Sequence, residues 1–316
     1  MAKIDKDDFL DKLTPEDIEN VILPTLKADK EKKLAEQACV VQRRLSKRKL
    51  IAFLFMLVFI GVGVFSGVKV LAWKMDSDNT YAQIEMINDN VVIEEVEDTE
   101  ATEIVNPPEE EENSANPYWD YIKMNLINVD FTNLLSINSD TKGWIQVNGT
   151  NINYPFVQTI DNEYYLKRDF NKKSNSAGWV YMDYRNEVEN FDRNTILYAH
   201  GRLNGTMFGS LKNIFESDWF DDVNNHVIKL STLTENTLWQ VFSVYHIPTT
   251  SDYLQTEFSS NEDFLEFVNV LEERSQYEFN VEFNESDKIL TLSTCYNDQE
   301  RVVLHAKLIK REVREQ

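Results

Sequence analysis

Cysteine is almost missing from this sequence: 316 residues hold two, Cys39 and Cys295. So low a count excludes a disulfide-stapled scaffold. Histidine is as sparse, at four, and no His and Cys stand at metal-ligand spacing, so neither a metal nor another cofactor is expected. Positive charge is also short. The 32 Lys and Arg against 54 Asp and Glu leave a net charge of −22, which excludes nucleic acid as a partner, because a phosphate backbone calls for a basic surface. Internal repeats are absent.

Long apolar runs are missing too, with one exception at residues 50–68. About 19 residues at ~1.5 Å rise cover roughly 28 Å, the thickness of a bilayer's hydrocarbon core. A buried core helix is rarely apolar on all sides over that length. A cleaved leader would start nearer the N-terminus and end in a small-x-small site. The basic cluster Arg43, Arg44, Lys47, Arg48 and Lys49 stays in the cytoplasm by the positive-inside rule. The sequence thus predicts a cytoplasmic segment over 1–49, a single-pass signal anchor over 50–73, an acidic extracellular linker over 74–116 and a globular domain over 117–316. Thr14-Pro15 marks a helix start in the first segment. The linker has no Lys or Arg from Met75 to Asn116 and reaches Glu109–Glu112, the composition of a self-repelling, extended spacer.

The globular part opens with short helices expected at 119–125 and 130–136, the second capped by Asp130. Strand patterns follow at 144–147, 152–156, 179–182, 195–200, 226–231 and 238–247, separated by Asn- and Gly-rich turns. An amphipathic helix over 261–276 carries Phe264, Leu265, Phe267, Val268 and Leu271 on one stripe. A terminal hairpin over 288–310 brings the count to about eight strands, the pattern of a mostly β barrel with one inserted helix.

That hairpin sets Cys295 at the end of one strand and Arg301 at the start of the next. With a bilayer between them, Cys39 and Cys295 cannot pair. An unpaired thiol outside the membrane is a reactive group, an intermolecular bridge or an inert packed side chain. A base for it is offered by His200, which ends an apolar strand just before the loop Gly201–Gly209. His305 shares the face of Arg301 and is the rival. His226, among Asp and Asn, reads as solvated surface, and His246 as structural.

Thr291-Leu-Ser-Thr-Cys295, Tyr198-Ala-His200 with Met207-Phe-Gly-Ser-Leu211, and Arg301-Val-Val-Leu-His-Ala-Lys-Leu together resemble the nucleophile, histidine and arginine motifs of the sortases, in their class B form. Thr141-Lys-Gly-Trp-Ile and the segment from Tyr154-Pro-Phe to Tyr184-Arg185 add to the likeness, as do the inserted helix and an N-terminal helical pair. The resemblance implies an eight-stranded sortase-like β-barrel and a cysteine transpeptidase of a Gram-positive-type cell membrane. In that reading Cys295 is the nucleophile, His200 the general acid/base and Arg301 the oxyanion or substrate partner, with Ser293 and Thr294 beside the substrate. The implied partners are secreted proteins with a C-terminal sorting signal and a peptidoglycan amine as acceptor. Alternatives are a pilin polymerase with a lysine acceptor and an inactive, anchored substrate-binding domain.

Overall fold

The structure is a computed structural model that describes residues 14–108, 116–295 and 299–314. The acidic run at 109–112 and the hairpin turn at 296–298 lie outside these residues. The chain forms two compact units, Met1–Leu71 and Ala72–Gln316.

In the first unit Thr14 caps a helical turn as expected: its hydroxyl accepts from Asp17 N, and Asp17 bonds back to Thr14 N in a reciprocal box. Pro15 stands at the first helical position, where its missing N–H costs nothing. The long helix α1 spans Leu23–Asn90. Its apolar stretch reaches a mean hydropathy of 2.6 over 18 residues, so one helix among the described residues is long and apolar enough to cross a membrane.

The second unit contains strands β1 (Ile93–Val96), β2 (Thr102–Ile104) and β3 (Leu126–Val129), and then the barrel. The barrel strands are β4 (Thr141–Val147), β5 (Asn153–Val157), β6 (Tyr181–Met182), β7 (Asn194–Ala199), β8 (Val227–Thr232), β9 (Glu235–Pro248), β10 (Ile289–Cys295) and β11 (Glu300–Val313). Round the ring they run β10, β7, β6, β5, β4, β8, β9 and β11, and β11 pairs back on β10 to close it. Eight strands close the barrel, as the sequence predicts. Register shifts in the β9–β11 pair at His305/Ala306 and Leu308/Lys310 give the two longest strands the curvature that closure needs.

Alternation sorts the side chains. Leu290, Leu292, Val302 and Leu304 enter the main core with Trp144, Phe156 and Trp179. Ile289 and Val303 face outward, where helix α2 (Asn261–Glu273) covers them with Phe264, Val268 and Leu271. Helix α2 is held at its start by Ser260, whose hydroxyl accepts from Asp263 N at 3.1 Å.

Three expectations need correction. The segment from 119 to 125 forms only one helical turn, Tyr118–Tyr121, before the chain enters β3. A strand was missed there because Leu126–Val129 is too short to show a period. The segment read as an extended spacer carries regular structure between Lys74 and Pro108: α1 continues to Asn90, β1 pairs with β3, and β2 pairs with β11. Three of its acidic residues meet cations. Glu103 lies 3.1 Å from Arg311, Glu95 lies 3.7 Å from Lys229, and Asp98 pairs with the fully buried ammonium of Lys310. Finally, His226 is buried, as described below.

Ser260→Ala removes the cap of α2 and is expected to cost about 1 kcal/mol of stability. Thermal denaturation of the two proteins measures this as a lowered midpoint.

Candidate active site

Strand β10 lies between β7, to which it is parallel, and β11, to which it is antiparallel. Thr294 is level with Ala199, and Cys295 is level with Arg301. His200 follows Ala199 as Cys295 follows Thr294, so one row across three neighbouring strands, about 4.8 Å apart, contains His200, Cys295 and Arg301. By alternation His200 and Arg301 share the outward parity of Ile289. The structure therefore brings together the three positions that the sequence singles out.

The end of β7 is fixed by its own loop. The His200 carbonyl accepts from Arg202 N and Phe208 N, both at 3.1 Å, and Gly201 pairs with Met207. On the ring side, His200 Nε2–H donates to the Leu166 carbonyl at 2.8 Å. A carbonyl only accepts, so this bond selects the Nε2–H tautomer and leaves the ring's lone pair on Nδ1. Gly178, at φ +61°, allows the approach: a Cβ there would lie 2.6 Å from the Tyr165 carbonyl and 3.1 Å from His200 Cδ2.

A cleft of about 240 Å³ opens here, lined by Leu166, Tyr198, His200, Ser293, Thr294 and Arg301 among others. Ser293 Oγ lies 2.9 Å from Tyr253 Oη, so Tyr253 holds the hydroxyl. Thr294 Oγ1 is buried and has no hydrogen-bond partner among the described residues. Arg301 is half-buried, and its Nη1 donates to the Glu300 carbonyl at 3.1 Å.

Behind the cleft lies a carboxylate that sequence reasoning missed. Asp183 is fully buried and accepts from Arg185 through two bonds of 2.8 and 2.9 Å, from Tyr198 Oη at 2.9 Å and from Asn162 at 3.0 Å. Burial pushes its carboxyl up, yet these bonds outweigh burial and hold it below the ordinary carboxylate range. Arg185 also donates to the Leu254 carbonyl at 3.1 Å, which ties the network to the cleft wall. The spacing Asp183-x-Arg185 was a signal for such a pair. The Leu166 carbonyl, a backbone group, leaves no trace in the sequence.

The other histidines are placed elsewhere. His305 is fully buried and bonded at both nitrogens, to Tyr245 Oη and Thr291 Oγ1, each at 2.8 Å. Thr291 donates to Asn194 Oδ1 at 2.6 Å. It must therefore accept from His305 Nδ1–H, and Nε2 accepts from Tyr245. With both nitrogens engaged, His305 has none left to act as a base for a thiol. His226, expected on the surface, is 6 % exposed and packed among Trp219, Phe220 and Phe279, with Nδ1 at 3.1 Å from Tyr121 Oη. Burial lowers its pKa. Its polar sequence neighbours lie in a turn that folds the ring inward, which a local reading cannot see. His246 stacks on Phe215, ring centroids 3.9 Å apart.

Comparison with known proteins bears on the same region. The Sortase domain family matches residues 145–309, a range that includes the whole row. Sortase B of Staphylococcus aureus is 35% identical over 184 residues, which cover 57% of this chain and 75% of that protein. A Bacillus anthracis crystal structure, of a protein described as similar to sortase B, is 43% identical with a TM-score of 0.53 and covers 58% of this chain and 83% of its own. The structure of a Staphylococcus aureus sortase B–substrate complex is 35% identical, with a TM-score of 0.54 and coverages of 57% and 84%.

Burial pushes His305 down to about 3 from its ordinary 6.5. Between these values the unfolded chain takes up a proton that the folded chain refuses, so stability falls as pH drops through this window. His305→Gln removes the group. The gap in thermal midpoint between wild type and His305→Gln is expected to narrow from about pH 7 to about pH 4.5, which parallel thermal melts will show.

Proposed function

The chain belongs to the sortase family, and on that footing we propose that it is a class B sortase: a membrane-anchored cysteine transpeptidase that cleaves a C-terminal sorting signal and joins the protein to an amine of the cell-wall peptidoglycan. The observation that carries the residue assignment is the row of His200, Cys295 and Arg301 across β7, β10 and β11. The anchor reading is supported by the apolar stretch of α1, preceded by the basic cluster at 43–49.

In this mechanism the Cys295 thiolate attacks the carbonyl carbon of the scissile peptide bond and gives a tetrahedral oxyanion. The reactive form pairs a thiolate on Cys295 with a protonated His200. Arg301 is charged at every working pH and stabilises the oxyanion or holds the substrate near it. Collapse of the intermediate expels the amine, which takes a proton from His200 Nδ1 and leaves a thioester on Cys295. An acceptor amine then attacks the thioester, His200 takes its proton, and an amide forms as the thiolate is released. Ser293 and Thr294 line the same cleft and contact the substrate backbone. The bond from His200 Nε2 to Leu166 supports this role, because it holds the ring while Nδ1 exchanges the proton.

The detergent-solubilised chain is assayed with peptides of the form x-Pro-x-Thr-Gly and x-Pro-x-Thr-Asn, with and without a glycine-based or lysine amine. Amine-dependent product with a thioester intermediate is expected. Preference for the lysine amine would favour pilin polymerisation, and absence of any thioester would leave only a binding domain. Cys295→Ala and His200→Ala are expected to abolish transfer with the fold intact. Arg301→Ala is expected to lower kcat/KM by on the order of 10²-fold or more. Normal turnover by His200→Ala would overturn the acid/base assignment.

A further inference from the structure

The end of α1 that belongs to the barrel's unit buries a face that is mostly polar. Ser77, Thr80, Gln83 and Ile87, about one helical turn apart, are 5, 1, 7 and 2 % exposed. An apolar face adheres in several registers, whereas a polar face is stable in burial only where each donor meets an acceptor. The partners of this face are therefore specific, and they lie on the two segments that hold His200.

One segment begins at Leu166, whose carbonyl receives His200 Nε2–H. Gln83 Oε1 accepts from Phe170 N at 3.3 Å, Thr80 Oγ1 from Asn175 Nδ2 at 3.0 Å, and Asp76 Oδ2 from Ser176 N at 3.1 Å. Asn175 N in turn donates to the Lys167 carbonyl at 3.0 Å, one residue from Leu166. The other segment is the loop after His200. Tyr81 Oη donates to the Asn204 carbonyl at 2.7 Å, Asn204 Nδ2 donates to Ser77 Oγ, and the Arg202 guanidinium lies over the Trp73 ring. The helix thus fastens both sides of the histidine while none of these helix residues lines the cleft.

We propose that Asp76, Thr80 and Gln83 are positioning residues for His200: they fix the 166–176 segment so that the Leu166 carbonyl holds the imidazole by Nε2. The consequence for catalysis rests on the reading of His200 as acid and base given above. If the segment shifts, Nε2–H loses its acceptor, the ring is free to take the other tautomer, and Nδ1 no longer exchanges the proton.

The test uses the full chain in detergent micelles with ¹⁵N-labelled histidine, scored by ring ¹⁵N shifts, which report tautomer and protonation, and by acyl-transfer kinetics. The double variant Thr80→Val with Gln83→Leu is expected to lower the Nε2–H share at His200 and to reduce kcat about tenfold or more, with KM within about twofold. Thr80→Ser, which keeps the hydroxyl, is expected to retain wild-type signals and kcat. Ile87→Ala, on the same helix face, is expected to lower the thermal midpoint and to leave the His200 signals and kcat unchanged. A double variant that loses thermal stability but retains the wild-type His200 tautomer would overturn the proposal. A changed tautomer with wild-type kcat would support the positioning and overturn the acid/base reading instead.

Discussion

The parallel seat of β10 against β7 is the constraint on which the site depends. A parallel pair cannot be made by a tight turn, so the chain runs through β8, β9 and α2 before β10 returns between β7 and β11. A slip of one residue in this strand would send position 295 to the other face. The register is held from both sides. Leu290 and Leu292 lock into the main core, and on the outer face Thr291 bonds Asn194 of β7 and His305 of β11 at once. The histidine that competes with His200 in the sequence therefore acts as a fastening of the strands that carry the row.

What was legible in the sequence is what local periodicity and strand ends express. The alternation of 289–295, the amphipathic stripe of 261–276 and the strand-to-loop change at His200 depend on near neighbours in the chain, and the barrel follows from counting such segments. The rest depends on partners distant in sequence. His226 looks solvated because Asp and Asn surround it in the chain, whereas Tyr121 and Phe279 surround it in space. Asp183 takes its place behind the cleft only once Tyr198 and Asn162 converge on it.

The acidic stretch after the apolar run shows the same limit for charge. Within its own window it contains no cation, and an isolated chain of that composition would extend. In the folded molecule Lys229, Lys310 and Arg311 face Glu95, Asp98 and Glu103. The pair Arg311–Glu103, with its carboxylate largely in solvent, adds little by itself. The buried Lys310 differs, since its ammonium also donates to the carbonyls of Ile122 and Met124 at 2.8 and 3.1 Å, and without partners such a charge would be costly.

Strand β2 has a consequence of another kind. Strand β10 accompanies β11 only as far as Lys307, and beyond it the edge of β11 turned away from β9 would present unpaired amides and carbonyls. Thr102–Ile104 pairs with Lys310–Glu312 and fills that gap. Unpaired ladder ends are templates for strand exchange between neighbouring molecules. By occupying that stretch, three residues remove a place where a neighbouring chain, or a second copy of this one, could add as a further strand.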